Sequence, residues 1–173
     1  MTPPLLEHPF LAGLPHAAEL TGRARLVEFP RAGRLFDEGA RADRFWLIQT
    51  GKVALDLHVP GRADVVIETL GDGDVVGWSW LFPPYAWHFG ARAVADTTAV
   101  EFDAAAVRAV CDADPVLGQA LLRRFLGVMC DRLQAARIRL LDLYARDPYL
   151  ETPPATPPSG PPPATAPAAG SRP

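Results

Sequence analysis

The sequence lacks the features that would place the protein in or across a membrane. Hydrophobic residues make up 49% of its 173 residues, yet no apolar run approaches the roughly 20 residues that a membrane-spanning helix needs. The first ten residues, MTPPLLEHPF, carry neither the basic start nor the apolar stretch of a secretory signal peptide. These absences predict a cytoplasmic protein with no membrane segment, and the length suggests one domain with a real core.

Residues that carry metal or catalytic chemistry are also scarce. The two cysteines, Cys111 and Cys130, lack metal-ligand spacing and are expected to be reduced thiols. The four histidines include no H-x-H pair, and the sequence holds no G-x-S-x-G motif and no Walker-type glycine loop. We therefore expect no catalytic residues, no metal and no cofactor, and a protein that is not an enzyme.

Positive charge is limited as well. The net charge is −3 and Lys52 is the only lysine, so the composition gives no general reason to expect binding to nucleic acid or membranes. The basic residues that do cluster lie between Pro115 and Arg146, where six arginines stand against two aspartates. We interpret this cluster as the solvated face of a helix.

Proline is distributed unevenly along the chain. Ten of the nineteen prolines lie in the last 27 residues, DPYLETPPATPPSGPPPATAPAAGSRP. Such a segment cannot bury enough apolar surface to offset its ordering entropy, so residues 147–173 are predicted to form a disordered, partly polyproline tail. Its PxxP spacings, such as Pro154–Pro157, are those that dock aromatic grooves, but they arise by chance in a segment so rich in proline.

Between Arg25 and Asp103 the sequence contains short apolar or alternating runs separated by glycines, such as RLVEF, RFWLIQT, DVVIETL and TAVEF. Many short strands joined by glycine turns predict an antiparallel β-roll or barrel over residues 23–112. The run KVALDLHV alternates, which predicts a strand whose other face is solvated. Its apolar face consists of Val53, Leu55, Leu57 and Val59.

Residues 113–146 are predicted to form a long helix, with Asp114 as its cap and Pro115 in its first turn. Apolar residues recur there at spacings of four and three over three heptads, the pattern of a two-stranded coiled-coil seam. One amphipathic helix lying on its own core is the alternative, but a second apolar stripe favours a homodimer. The seam consists of Leu122, Leu126, Met129, Leu133, Ala136, Leu140 and Leu143, and the second stripe of Leu117, Leu121, Phe125 and Val128.

This order of elements resembles the sensor half of the Crp/Fnr family, the cyclic-nucleotide-binding domain. Two stretches carry the resemblance, GRLFDEGARADRFWLIQTGKVAL and LGDGDVVGW, and HPFLAGLP within residues 1–22 looks like the family's N-terminal helical lead-in. The resemblance covers about residues 6 to 146. It implies a mainly β fold with α, in which short N-terminal helices and a long C-terminal dimerisation helix flank an antiparallel jelly roll.

The resemblance also concerns DNA. The family's helix-turn-helix domain would follow the dimer helix, where this sequence has the proline-rich tail. We therefore expect that this chain alone does not bind DNA.

The stretch GWSWLFPPYAWHFGARA, residues 77–93, stands where the family has its phosphate-binding cassette. The resemblance implies a glutamate for the ribose hydroxyl and an arginine for the cyclic phosphate. Gly77 matches the family, but the glutamate position holds Trp78 and the small residue two places later is Trp80. The arginine and Ser/Thr positions hold Trp87 and His88. A phosphate buried there without a cation would be costly, so cyclic AMP binding in the standard mode is not expected.

Two geometries are open for these aromatics. Residues spaced by two on either side of Pro83-Pro84 would share one face of a hairpin. The family instead implies one helical turn over residues 78–82, which would direct Trp80 away from Trp78 and Phe82. The family geometry is slightly favoured.

Three interpretations of this aromatic cluster are open. The rings fill the vacated nucleotide pocket, or line a pocket for an apolar or aromatic small molecule anchored by His88 or Ser79, or form a patch for a protein partner. In each case we expect a homodimeric sensor or regulatory module. The alternative is a Crp/Fnr-type transcriptional regulator that responds to a cyclic nucleotide or another small ligand. The candidate ligand-binding residues are Gly77, Trp78, Ser79, Trp80, Trp87 and His88.

Overall fold

The computed structural model describes residues 7–145, so the predicted tail at 147–173 lies outside the described residues. One compact unit, Met1–Cys130, holds the eight strands of the described chain, and a second begins at Asp131. A 3₁₀ turn covers Ser79–Leu81. The elements are α1 (Ala18–Thr21), β1 (Ala24–Phe29), β2 (Arg34–Phe36), β3 (Arg44–Thr50), β4 (Val53–Leu57), β5 (Val65–Leu70), β6 (Val75–Val76), β7 (Gly90–Ala93), β8 (Thr97–Asp103), α2 (Ala104–Ala113) and α3 (Pro115–Ala145).

The strands form two antiparallel four-stranded sheets. The first has the order β1-β8-β3-β6 and the second the order β2-β7-β4-β5. Gly51, between β3 and β4, has φ +110°, and a Cβ there would lie 2.6 Å from the backbone oxygen of Asp96. Glycine is the residue that tolerates such a conformation and such an approach. The predicted fold class, an antiparallel β-roll followed by a long helix, is confirmed.

One hydrophobic cluster joins the two sheets to the helices. Strand β3 contributes four consecutive buried residues, Phe45–Ile48 (FWLI). The Phe45 ring stacks on Phe102 of β8 at 4.7 Å between centroids and meets Phe125 of α3 edge-on at 5.5 Å. The core therefore ties the first half of α3 to the sheet that contains β3.

Strand β4 corrects one prediction. Its second face was expected to be solvated, but Ala54 and Asp56 are each only 1% exposed. The Asp56 carboxylate accepts a hydrogen bond from Arg34 Nη1 at 2.6 Å, and Arg92 Nε lies 3.9 Å from the same oxygen. A buried carboxylate is tolerated because it is paired with these guanidiniums. Alternating polarity thus identified the strand but not the environment of its polar side.

The helical region begins earlier than the sequence-based boundary. Residues 104–112, assigned to the β-roll, form most of α2, because Asp103 caps that helix by accepting the N–H of Ala106 at 2.7 Å. Helix α3 then begins at Pro115, and Asp114 accepts the N–H groups of Val116 and Leu117, as expected of its cap.

A hydrogen bond from His16 also reaches Asp114, through the other carboxylate oxygen. This bond, together with the backbone donors of α3, holds the pKa of Asp114 below its usual value. The cap of α3 is thereby linked to the lead-in segment.

The two apolar stripes of α3 have different environments. Leu117, Leu121 and Phe125 are at most 1% exposed, and Val128 packs against the core at its edge. The predicted seam is instead open to solvent in the single chain, with Leu122, Leu126, Leu133, Leu140 and Leu143 between 49% and 67% exposed. One stripe of α3 thus packs against the protein's own core, and the other is exposed to solvent in the single chain.

The N-terminal lead-in is more irregular than a helix. Its described part consists of turns and the four-residue α1. It nevertheless supplies buried side chains to the core, among them Phe10, Leu11 and Leu20. The Phe10 ring meets Phe125 edge-on at 4.8 Å. The segment therefore belongs to the core that holds the start of α3.

Candidate functional site

The aromatic stretch begins where β6 ends, at Gly77, which has φ +87°. The next residues form the 3₁₀ turn Ser79–Leu81. Trp80 is 1% exposed whereas Phe82 is 50% exposed, and Trp78 is half-buried. The hairpin, which would place these rings on one face, is wrong, and the single helical turn is confirmed. Spacing by two failed as a strand signal because a one-turn helix rotates alternate residues to different sides.

Trp80 is part of the hydrophobic core. Its ring stacks on Phe45 at 5.0 Å with an interplanar angle of 12°, and Phe125 meets it edge-on at 5.5 Å. Its indole Nε1 is buried without a hydrogen-bond partner. Because its face is covered by protein rings, Trp80 acts as the anchor that seats the 3₁₀ turn on the core.

Trp87, at the position where the resemblance implies an arginine, is also buried, with 4% exposure. Its ring stacks on Phe36 at 3.9 Å and lies 6.0 Å from the ring of Trp46. A Cβ added to Gly77 would come within 2.7 Å of Trp87 Cη2. The indole therefore lies directly against Gly77 and fills the space beside it.

The backbone around Trp87 is fixed by two hydrogen bonds to the turn that precedes β3. Its N–H donates to the carbonyl of Ala40, and its carbonyl accepts from the N–H of Gly39, both at 2.8 Å. Gly39 has φ +77°, a conformation that glycine adopts without strain. The position of the indole is consequently set by the sheet framework.

The polar candidates lie at the edge of this aromatic core. Ser79 is 7% exposed, and its Oγ lies 3.3 Å from Nδ1 of the exposed His88. The His88 ring is nearly parallel to Trp78, with 6.1 Å between centroids and an angle of 17°. The structure therefore brings the half-buried Trp78, the buried Ser79 and the exposed His88 together. Trp80 and Trp87 belong to the buried core.

Arg108 of α2 was not identified from the sequence. Its Nη1 donates to the carbonyl of Trp80 at 2.8 Å, and its guanidinium lies 4.9 Å from the centroid of the Tyr85 ring. Such a cation–π contact stabilises both partners. No local motif marks this arginine, because its partners lie on a turn distant in sequence.

Arg34 and Arg92 of the second sheet lie beside Asp56, and Arg92 Nε is buried without a hydrogen-bond partner. Asp56, with Asp37 as a second acceptor, raises the pKa of Arg34 through hydrogen bonds. Asp56 also faces Arg92. A Cβ built on Gly90 would collide with Arg34 and Asp56. These charged side chains therefore pack against β7 at Gly90. They neutralise one another.

Two further features are absent from the part of the chain that the structure describes. Within residues 7–145 no three His, Cys, Asp or Glu side chains come together as a potential metal site. In the same part of the chain, no helix has the length and apolar character needed to span a bilayer.

Comparisons with known proteins agree with this architecture. Residues 26–114 match the sequence profile of the family described as cyclic nucleotide-binding domain. The CRP-like cAMP-activated global transcriptional regulator of Mycobacterium tuberculosis is 30% identical over 130 residues, which cover 75% of this chain and 56% of the relative. The chain thus spans about half the length of the curated relatives it matches.

Solved structures share the fold at lower identity. A cyclic nucleotide-binding domain from Methylobacillus flagellatus superposes with a TM-score of 0.66 at 23% identity, over 73% of this chain and 71% of that one. The catabolite activator protein of Thermus thermophilus gives 0.61 at 22% identity, over 78% and 62%. The profile match shows that the chain belongs to the cyclic nucleotide-binding domain family, and these solved structures share its fold.

Proposed function

We propose that this protein is a non-enzymatic, cytoplasmic regulatory domain that does not bind cyclic AMP in the family's standard mode. The observation that carries this proposal is the position of Trp87. Its indole stands where the resemblance implies the phosphate-binding arginine, is 4% exposed, and lies against Gly77. An anionic ligand in this place would have to displace a stacked aromatic cluster.

Electrostatics supports the same conclusion. A phosphate transferred from water into an apolar site loses its hydration, and only a paired cation or several strong donors compensate for that loss. Arg34 is held by Asp56 and Asp37, and Arg108 is engaged by Trp80 and Tyr85. Recruiting either guanidinium would break contacts that the fold already uses.

The surface left for recognition consists of Trp78 and His88, and the buried Ser79 hydroxyl is hydrogen-bonded to the imidazole. The half-buried indole stacked on the imidazole offers an aromatic face, and the imidazole offers a hydrogen bond. This chemistry suits a flat, uncharged small molecule. The adjacent exposed rings of Phe82 and Tyr85 suit a protein partner. We assign ligand binding to the site of Trp78, Ser79 and His88. Binding of a protein partner at Phe82 and Tyr85 is the alternative.

The homodimer is part of the proposal. The exposed leucine row of α3 follows a heptad spacing, and such a row loses its contact with water when two helices pair. A change at the 3₁₀ turn would reach this helix through Arg108, since α2, which carries Arg108, immediately precedes α3. Dimerisation through α3 would then be the property that changes when the 3₁₀ turn changes.

Calorimetric titration tests the ligand assignment. We expect no saturable heat with cyclic AMP at micromolar concentrations, while the cAMP-activated Mycobacterium tuberculosis relative, titrated in parallel, gives binding. Tryptophan fluorescence of this protein should respond instead to uncharged aromatic compounds, and the response should be lost in Trp78→Ala. Saturable micromolar binding of cyclic AMP to this chain would contradict the proposal.

Transcriptional regulation is the second candidate, because the relative that is 30% identical is described as a transcriptional regulator. A gel-shift assay at low salt is the sensitive test, since phosphate contacts are strongest there. We expect no shifted band with this chain. A band that weakens steeply as salt is raised would favour the second candidate over the first.

A further inference from the structure

A cleft of about 480 Å³ lies at the end of the first sheet where β1 begins, β8 ends and α2 starts. Its lining includes three arginines and two carboxylates, namely Arg23, Arg25, Arg44, Glu101 and Asp103. No residue of the aromatic stretch 77–93, which the structure describes throughout, lines this cleft. The cleft is therefore separate from the ligand site of the proposed function.

The register of the first sheet explains why these charges meet. Arg25 of β1 stands opposite Glu101 of β8. Arg44 of β3 stands opposite Asp103, the last residue of β8. Side chains two residues apart on a strand share one face, so Glu101 and Asp103 project from the same face of β8. Since Arg23 lines the same cleft, three guanidiniums gather around two neighbouring positions of one strand.

Glu101 is already neutralised by protein groups. Only 8% of its side chain is exposed, and its Oε2 accepts the indole N–H of Trp46 at 2.9 Å. Its Oε1 accepts Arg25 Nε at 2.7 Å, and Arg44 Nη1 lies 3.4 Å from the same oxygen. One carboxylate therefore serves two guanidiniums, and neither of its oxygens lacks a donor.

The other carboxylates leave guanidinium donors unused. Asp103 uses its Oδ1 to cap α2, and the Oδ1 of Asp43 stays 3.8 Å from Arg44 Nε, beyond hydrogen-bond distance. The exposed Arg23 side chain has no hydrogen bond or ion pair with any residue that the structure describes. Because each guanidinium carries five N–H donors, the cleft offers more donors than its own carboxylates engage.

We propose that this cleft binds a small organic anion with at least two carboxylate or phosphate groups. The planar fork of a guanidinium matches the oxygens of either group. Arg25 and Arg44 are 64% and 46% exposed, so they keep donors open to solvent beside Arg23. The first turn of α2, at Ala106, also lines the cleft, and the positive end of the helix dipole favours an anion there. The volume lies in the range of small-molecule sites, which favours an organic anion over a single inorganic ion.

Isothermal titration calorimetry of the full chain provides the test, in chloride buffer of about 0.15 M ionic strength. The probes are citrate, which carries several carboxylates, fructose 1,6-bisphosphate, which carries a pair of phosphates, and inorganic phosphate as the single ion. We expect saturable binding of at least one organic probe, with a dissociation constant about tenfold below that of inorganic phosphate. Binding of citrate alone would assign the cleft to carboxylates, and binding of the bisphosphate alone would assign it to phosphates.

Arg23→Gln should weaken the binding of that organic probe about tenfold. The variant should fold normally and keep its urea midpoint, because the Arg23 side chain has no hydrogen bond or ion pair within the described chain. Arg31→Gln is the matched control, since Arg31 is likewise exposed, lies between β1 and β2, and does not line the cleft. It removes the same charge and should keep the full affinity.

Absence of a saturable heat with either organic probe would overturn the proposal. Binding by Arg23→Gln as tight as that of the unchanged chain would overturn it as well. An equal loss of affinity in both variants would do the same, because the anion would then respond to net charge alone. Failure of the ligand site at Trp78 would leave these outcomes unaffected, since the cleft is separate from it.

Discussion

Leu133→Asp is expected to make the protein a monomer at concentrations where the unchanged chain is a dimer. Leu133 lies in the middle of the predicted seam and is 52% exposed in the single chain, and in the proposed dimer a second helix would cover it. Each leucine buried in the dimer contributes about 1.5 kcal/mol, and the substitution would instead place two carboxylates at one layer of the seam. The dimer dissociation constant should rise at least about a hundredfold.

Light scattering coupled to size-exclusion chromatography measures this directly. Leu141→Asp is the matched control, because Leu141 is 66% exposed and lies one residue beyond the seam leucine Leu140, at position b. It makes the same chemical change on the same helix and should leave the dimer intact. If Leu133→Asp stays dimeric, or if Leu141→Asp also dissociates, the seam is not the dimer interface.

The regular elements were predictable because they rest on local patterns. Short runs between glycines predicted the strands, and Gly51 shows the reason, since its φ and the nearby backbone of Asp96 exclude a side chain. The two stripes of α3 were readable because a helix of this length repeats its pattern many times. The start of α2 was missed although Asp103 caps it, because Asp103 is also the last residue of β8.

The sequence could not predict ion pairs and hydrogen bonds between residues that are far apart in the chain. Asp56 fits a solvated strand face by its polarity, and only the approach of Arg34 and Arg92 from other strands makes it a buried residue. The role of Arg108 likewise depends on the fold bringing α2 next to the 3₁₀ turn. Neither contact follows a periodicity, so neither could be predicted without coordinates.

The sequence placed the candidate site within residues 77–93 but did not separate the roles of its aromatic rings. The resemblance placed Trp78, Trp80 and Trp87 at family positions, yet it could not separate a ring that lines a pocket from one that fills it. Exposure makes the distinction, with Trp80 at 1% and Trp87 at 4% against a half-buried Trp78. Trp80 and Trp87 therefore fit the interpretation in which the rings fill the pocket. Trp78 fits the interpretations in which they bind a ligand or a partner.

Trp87→Ala is expected to cost about 3–5 kcal/mol of unfolding free energy, the range for removing a large aromatic side chain from a packed core. The indole stacks on Phe36 and contacts the layer that includes Trp46 and Gly77, so little can move in to close the cavity. Urea unfolding at one fixed protein concentration measures the change, because the stability of a dimer depends on concentration. Indole added to the variant should restore part of the loss by binding the cavity.

Trp78→Ala and Phe82→Ala provide the comparison that gives this number its meaning. Phe82 is 50% exposed and its loss should cost within about 1 kcal/mol, with Trp78 between the two extremes. If Trp87 fills the pocket, Trp87→Ala must lower the unfolding free energy clearly more than Trp78→Ala or Phe82→Ala does. A small cost at Trp87, together with cyclic AMP binding by the variant, would mean that the indole is a movable cover over a working nucleotide site. The order of the three costs therefore decides between a pocket that has become core and one that is merely closed.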